Sequence, residues 1–307
     1  MRQPAGPEGL LLADKPAGPT SHDIVEVTRR FTSGRRVGHT GTLDPFATGL
    51  LPLCIGRATR LSRFLTGLRK AYAGSMRLGI ATDTYDVDGK VLERGDAGGI
   101  DERTIREAAG RFVGTILQTP PPYSARKING QRMYKLARSG VEVRAEPAEV
   151  TIFRFDILGV ADGIVRFEAE TSAGTYVRAL AHDLGVALGC GAHLFELRRV
   201  ASGSHRVEDA HGLTEIRERG KAGTLEEIVI PLSRIDLGLR SVTATPRGAT
   251  AMRTGQVLSA KELVSTGGGS PGAPVRVIDE EGTLLGVAVP DERIAGSGIL
   301  KPQVVLA

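Results

Sequence analysis

The acid at position 44 is the residue of this chain whose surroundings most invite chemistry. It lies in GHTGTLDPFATGLL, Gly38 to Leu51, and it is the only carboxylate between Arg29 and Arg77. That window holds ten cations: Arg29, Arg30, Arg35, Arg36, Arg57, Arg60, Arg63, Arg69, Lys70 and Arg77. An isolated Asp-Pro is an ordinary turn and needs no function. Three neighbours of Asp44 argue for more. Gly38, Gly41 and Gly49 let backbone approach a ligand or another strand closely. His39 precedes the acid on the same loop. The cations suit the charge of a carboxylate and would also draw in a polyanion. A carboxylate cannot bind phosphate, so at the centre of a phosphate-binding surface it makes better sense acting on a sugar or a base.

The other standard chemistries find no support. GGSPG (Gly268–Gly272) fits the spacing of a serine nucleophile elbow, but Pro271 and the missing strand-to-helix context argue against one. DTYDVDG (Asp83–Gly89) resembles a calcium loop that lacks its ligands at the first and closing positions. There is no GxxxxGK[ST] and no strand-linked GxGxxG, and the six histidines never fall at metal-ligand spacing. Neither a metal nor a cofactor is expected. Cys54 and Cys190, with no paired spacing, read as buried small hydrophobes of a reducing compartment.

The whole chain of 307 residues nets +5, so outside the Arg29–Arg77 window it is net negative; the positive charge is concentrated. A second acid-free basic run spans Tyr123 to Val141, with Arg126, Lys127, Arg132, Lys135 and Arg138. Two such runs point to a polyphosphate partner. No signal peptide or membrane span is readable, which predicts a cytoplasmic protein with no membrane partner.

The elements that must position these residues follow from periodicity. ADKPAGPTS is a loop after which Ser21 is expected to cap a helix to about Phe31. Leu61, Phe64, Leu65 and Leu68 repeat at helical spacing. Ala71–Gly79 predicts a strand, Asp86–Glu93 a hairpin turn, and Asp101–Val113 an amphipathic helix. Gln118–Val143 opens with three prolines and reads as an exposed basic insertion, with a short helix near Met133–Arg138. Val165, Phe167, Ala169 and Thr171 alternate as a half-buried strand. Ser172–Gly189 is a turn into a helix with Gly189 past its end. From Ser241 on, six basic and six acidic residues balance, and short apolar strands between Gly/Pro turns predict a small β-rich domain.

GHTGTLDPFATGLLPLCIGRATR (Gly38–Arg60) closely resembles the signature of the TruB family of tRNA pseudouridine synthases. The likeness continues through LLLADKPAGPTSHDIV, KAYAGSMRLGIATDTYDVDG, QTPPPYSARKINGQRMYKLARSG, SAGTYVRALAHDLG and LGCGAHLFELRRV, in order and spacing. The resemblance implies an α+β pseudouridine synthase fold: a mixed, mainly antiparallel sheet flanked by helices over residues 1–238, with an RNA-binding insertion at about 118–150. Residues 239–307 then form a PUA-like RNA-binding domain. It implies a bacterial stand-alone enzyme, acting as a monomer on the T stem-loop of tRNA to convert uridine-55 to pseudouridine.

By the same resemblance Asp44 is the catalytic carboxylate and Arg178 its charge partner, suited to a bidentate grip. Tyr72 stacks on the target base, with its hydroxyl a candidate for taking the C5 proton. Tyr176 and Leu197 line the uracil pocket. His39 packs where the flipped nucleotide leaves space or contacts the RNA. Arg126, Lys127, Arg132, Lys15 and Arg199 are candidates for the RNA backbone, the last two also for supporting the site. The competing readings are a non-enzymatic RNA chaperone using the same basic surfaces, and a glycosylase that releases the flipped base.

Overall fold

The computed structural model describes residues 6–123, 127–128, 131–132, 146–265, 272–290 and 299–306, with backbone alone at 127–128, 131–132 and 265. The helix expected near Met133–Arg138 and the side chains of Arg126, Lys127 and Arg132 lie outside the described residues. Lys127–Ile128 and Gln131–Arg132 pair as a short hairpin that sets residues 127 and 132 opposite each other.

One sheet organises the first 230 or so residues. Its principal strands are β1 (Gly9–Lys15), β2 (Thr48–Ile55), β3 (Lys70–Leu78), β4 (Gly114–Gln118), β5 (Ala148–Ala161), β6 (Ile164–Thr171) and β7 (Ala192–Ser202). They lie in the order β1-β2-β7-β3-β6-β5-β4, extended beyond β1 by His211–Gly212. Among the principal strands every neighbouring pair is antiparallel except β2 with β7. The mixed, mainly antiparallel sheet expected from the resemblance is thus present. The near-continuous apolar runs of β1 and β2 are those of strands covered on both faces. Leu11, Ala13, Leu51 and Leu53 enter one core, whereas Leu10, Leu12, Leu50 and Cys54 enter another.

Helices α1 (Ser21–Arg29), α2 (Ser62–Gly67), α3 (Glu102–Gly110), α4 (Val177–Ala187) and α5 (Leu213–Ala222) accompany this sheet. The cap of α1 differs from expectation. Thr20, not Ser21, caps it: the Thr20 hydroxyl accepts from the Asp23 amide while the Asp23 carboxylate accepts from the Thr20 amide, a reciprocal capping box. The Leu61–Leu68 repeat begins as a tight 3₁₀ turn over Gly56–Leu61 before α2. In α4 Val177, Leu180, Ala181 and Leu184 form a buried inward stripe, and Leu188 just past the helix is partly buried. Gly189 just past the end takes φ +73°, the left-handed turn that glycine supplies at no steric cost.

A separate five-stranded sheet holds Leu263–Ser265, β8 (Arg240–Ala244), β9 (Val275–Ile278), β10 (Leu284–Pro290) and β11 (Leu300–Val305), with α6 (Pro246–Arg253) against it. This is the β-rich C-terminal part expected from the strand pattern. Its Leu284, Val287, Val304 and Leu306 pack into the same apolar cluster as Leu10, Leu50 and Leu61 of the large sheet. No helix among the described residues is long and apolar enough to cross a membrane.

Candidate active site

Three buried side chains hold the loop that carries Asp44. The Ser21 hydroxyl donates to the Leu43 carbonyl at 2.9 Å and accepts from the Leu43 amide at 2.8 Å. From the end of β1, Lys15 donates to the carbonyls of Pro16, Pro45 and Ala47, at 2.9, 3.0 and 2.6 Å. From β7, Arg199 donates to Leu50 at 2.7 Å and to Gly41 at 3.0 Å. Lys15 and Arg199 are 0% and 2% exposed, so neither can meet an RNA backbone; burial corrects that expectation and leaves them the work of fixing the loop. Burial also pulls the Lys15 ammonium down to about 8, against the attraction of Asp44. The close approach of β7 depends on Gly49, at φ +98°, where a Cβ would lie 2.4 Å from the Arg199 carbonyl oxygen.

The opposite wall is the first turn of α4. Arg178, 5% exposed, extends from it towards Asp44. Its Nε stands 2.9 Å from Asp44 Oδ2, an ion contact too bent for a hydrogen bond, while Nη2 donates to Oδ1 at 3.3 Å. The guanidinium thus covers both carboxylate oxygens, the two-point grip expected of this pair. Nη1 donates to the Thr84 carbonyl at 2.8 Å and to Asp86 Oδ2 at 3.1 Å, and Nη2 also donates to the Tyr123 carbonyl at 3.0 Å.

Asp86 is the functional neighbour that sequence reasoning missed. In sequence, DTYDVDG reads as a failed metal loop running into a hairpin turn, with no role for Asp86 at the site. Folded, it is a turn that buries Asp86 to 5% exposure and closes on Arg178. Burial pushes the Asp86 carboxyl above its ordinary value, and the charge of Asp44 adds to the rise. The Thr84 hydroxyl, Arg178 and the Asp88 amide pull the other way without cancelling it. The turn is clamped to α4 by Tyr85, whose ring stacks on His182 at 3.8 Å and 7°. Tyr85 takes φ +65°, a strained conformation for a non-glycine residue that packing must maintain. No local pattern announces the contact of Asp86 with Arg178, because its partner lies 92 residues away along the chain.

Between these walls lies a cavity of about 400 Å³ lined by His39, Asp44, Tyr72, Tyr176, Arg178 and Leu197, with Lys70 and Arg199 at its floor. The volume is in the range of small-ligand sites. Tyr72 projects from β3, paired across the sheet with Arg199 of β7. Leu197 comes from the same strand as Arg199, and Tyr176 immediately precedes α4. His39 ends the short strand Val37–His39. Burial and the nearby Arg199 lower its proton affinity, which suits a neutral, space-filling ring more than an acid. All six residues expected in the pocket are brought together.

The cations of the Arg29–Arg77 window are used differently from expectation. Arg57, Arg60 and Arg63 bind Leu306, Val305 and Gln303 at the C-terminal edge, at 2.6, 2.7 and 2.7 Å. Arg35 and Arg57 also share Glu8. The Lys70 ammonium bonds the carbonyls of Thr66 and Leu68. Much of the concentrated charge therefore fastens the chain to itself; Arg30 and Arg36 are among the residues left exposed.

Comparison with known proteins agrees with this geometry. Residues 29–177 match the TruB family pseudouridylate synthase N-terminal domain, and residues 178–235 match the tRNA pseudouridylate synthase B C-terminal domain. The two matches meet inside α4, next to Arg178. The chain is 39% identical over 284 residues to tRNA pseudouridine synthase B of Geobacter sulfurreducens, covering 92% of this chain and 93% of the relative. It is 42% identical over 299 residues to the protein of the same name from Burkholderia mallei, covering 96% of each. Among solved structures, a chain of a Cbf5-Nop10-Gar1 complex superimposes with a TM-score of 0.77 at 25% identity, over 97% of this chain and 85% of that one. The shared fold, the two family matches and the near full-length likeness to the relatives agree: this chain belongs to the TruB family of pseudouridylate synthases.

Proposed function

We propose that this protein converts uridine-55 in the TΨC loop of tRNA to pseudouridine. The observation that carries the reading is the Asp44–Arg178 pair at the mouth of an aromatic-walled cavity, in a chain whose relatives at about 40% identity are named tRNA pseudouridine synthase B. Extruding a stacked base costs a few kcal/mol, which contacts of exposed basic residues with phosphates offset. The N1–C1′ glycosidic bond then breaks, the freed uracil turns, and C5 bonds to C1′. The C5 proton leaves and N1 gains one, so substrate and product are isomers and no energy source is needed.

In this reading Asp44 is the reacting carboxylate, either as nucleophile at the sugar or base or as the base that takes the ribose 2′ proton. Arg178 aims it. Tyr72 stacks on the uracil and its hydroxyl is the candidate for taking the C5 proton, while Tyr176 and Leu197 confine the ring. His39 fills the space beside the flipped nucleotide. The basic insertion, residues 118–150, grips the stem-loop through Arg126, Lys127 and Arg132. The sheet beginning at Arg240 acts as a PUA-like RNA-binding domain, with the boundary at 238/239, and the protein works in the cytoplasm as a monomer.

The test is incubation with unmodified tRNA transcript, mapping pseudouridine by nucleotide and measuring free uracil. Pseudouridine at position 55 without uracil release is expected. Uracil release would favour the glycosylase, and binding without any isomerisation would favour a chaperone.

A further inference from the structure

Gln118 ends β4 and is 2% exposed, yet its side chain serves no strand and no solvent. Its Nε2 donates to the Tyr176 carbonyl at 3.1 Å, and its Oε1 accepts from the Tyr176 amide at 2.8 Å. One side-chain amide thus pairs with both backbone groups of a single residue, as an adjoining strand would. Tyr176 needs such a partner. It stands immediately before α4 in extended conformation, φ −98° and ψ 106°, and makes no side-chain cap of its own. Its carbonyl also receives the Leu180 amide that closes the first turn of the helix. Whatever holds Tyr176 therefore holds the turn from which Arg178 projects.

A second contact lies five residues on. Pro120, Pro121 and Pro122 stiffen the segment after Gln118, because each ring locks φ. At the end of that run the Tyr123 carbonyl accepts from Arg178 Nη2. Residues 118–123 thus touch α4 at both ends, at Tyr176 through a side chain and at Arg178 through a main-chain oxygen.

We infer that Gln118 is a positioning residue for the isomerisation: by clamping the Tyr176 backbone it fixes the pocket wall, and with the Tyr123 carbonyl it sets the Arg178 guanidinium against Asp44. The inference rests on the proposed function, because it concerns the geometry of that reaction. It makes the root of the basic insertion part of the catalytic frame.

Gln118→Met tests it, since methionine keeps the length and packing of glutamine and removes both hydrogen bonds. Gln118→Ala removes packing as well, and Gln118→Glu keeps the acceptor while losing the donor. Single-turnover pseudouridine formation on tRNA transcript, tRNA Kd and melting temperature would be measured for each. The expected result is a rate roughly 10- to 100-fold lower for both Met and Ala, the scale of a small misplacement of reacting groups. The Glu variant should fall between, with Kd within about threefold of the unmodified chain. Wild-type turnover in Gln118→Met would reduce the residue to packing and overturn the inference. So would a loss lying wholly in Kd. If the Ala variant does not fold, the Met and Glu variants decide. A wild-type chain that forms no pseudouridine would refute the proposed function itself, a result distinct from an active wild type matched by an equally active Met variant.

Discussion

Asp44 and Asp86 share one counter-ion. The Arg178 guanidinium presents Nε and Nη2 to the first and Nη1 to the second, so the half-exposed acid facing the cavity and the buried acid behind it are held by the same planar group. The buried acid anchors the arginine from behind, and the arginine aims the acid in front. Four of the expected outcomes that follow rest on this frame or on the loop it faces.

Asp44→Asn removes the charge and keeps the shape. Pseudouridine formation should fall by about 10⁴-fold or more, the order met when a reacting group is deleted outright. tRNA affinity should stay within a few-fold, since an anionic side chain contributes nothing to holding phosphates. A filter-binding measurement beside a single-turnover assay checks both; appreciable turnover in the variant would remove Asp44 from the reaction.

Arg178→Lys keeps one positive charge but cannot reproduce the fork. An ammonium can reach some of the acceptors at Asp44, Asp86, Thr84 and Tyr123, not all of them together. Turnover should collapse, and stability should drop by about 1–3 kcal/mol, because some of the buried acceptors lose their donor. Urea denaturation gives the second quantity.

Asp86→Asn should separate anchoring from charge. The amide retains an acceptor for the Thr84 hydroxyl, while Arg178 keeps Asp44 as its one carboxylate partner beside the Thr84 and Tyr123 carbonyls. The chemical step should slow about 10- to 100-fold through misplacement of Arg178, with tRNA binding intact. A rate within twofold of wild type would mean that Asp86 serves the fold only.

Lys15 has a titration signature. Its ammonium is lowered to about 8 from an ordinary 10.5. Between those two values the unfolded chain holds the proton that the folded chain has released, so raising the pH favours the folded state. The cost of burying the charge is fully present below pH 8 and is relieved as pH rises to 10.5. Relative to Lys15→Met, the wild type should therefore gain stability across that window, by at most about 1.4 kcal/mol per pH unit. Denaturant melts of both proteins at several pH values test the sign; parallel profiles would show that Lys15 keeps its proton.

The readable features of the sequence were those with an unusual neighbourhood or a long pattern. Asp44 stood out because it was alone among cations, and the α4 stripe because its spacing is regular. Lys15 and Arg199 were misjudged because a charged side chain is exposed by default, and nothing in their sequence neighbours announces the carbonyls that bury them. Ser21 and Thr20 are adjacent and chemically alike. Only the path of the distant Asp44 loop decides that one caps α1 while the other grips Leu43. Asp86 and Gln118 escaped notice for the same reason. Each works through a partner about 60 to 90 residues away, Tyr176 for Gln118 and Arg178 for Asp86, a relation that no local pattern carries.

Arg178 ties together segments 134, 92 and 55 residues distant along the chain, at Asp44, Asp86 and Tyr123. Contacts of such separation form only after long loops have closed, so they belong to the late part of folding. Cut at its midpoint, the chain leaves the acid in one half and the arginine in the other, so neither half owns this site. During refolding from denaturant, catalytic activity should thus return no earlier than the last recovery of tertiary structure, and the enzyme's own turnover becomes a reporter of the completed fold.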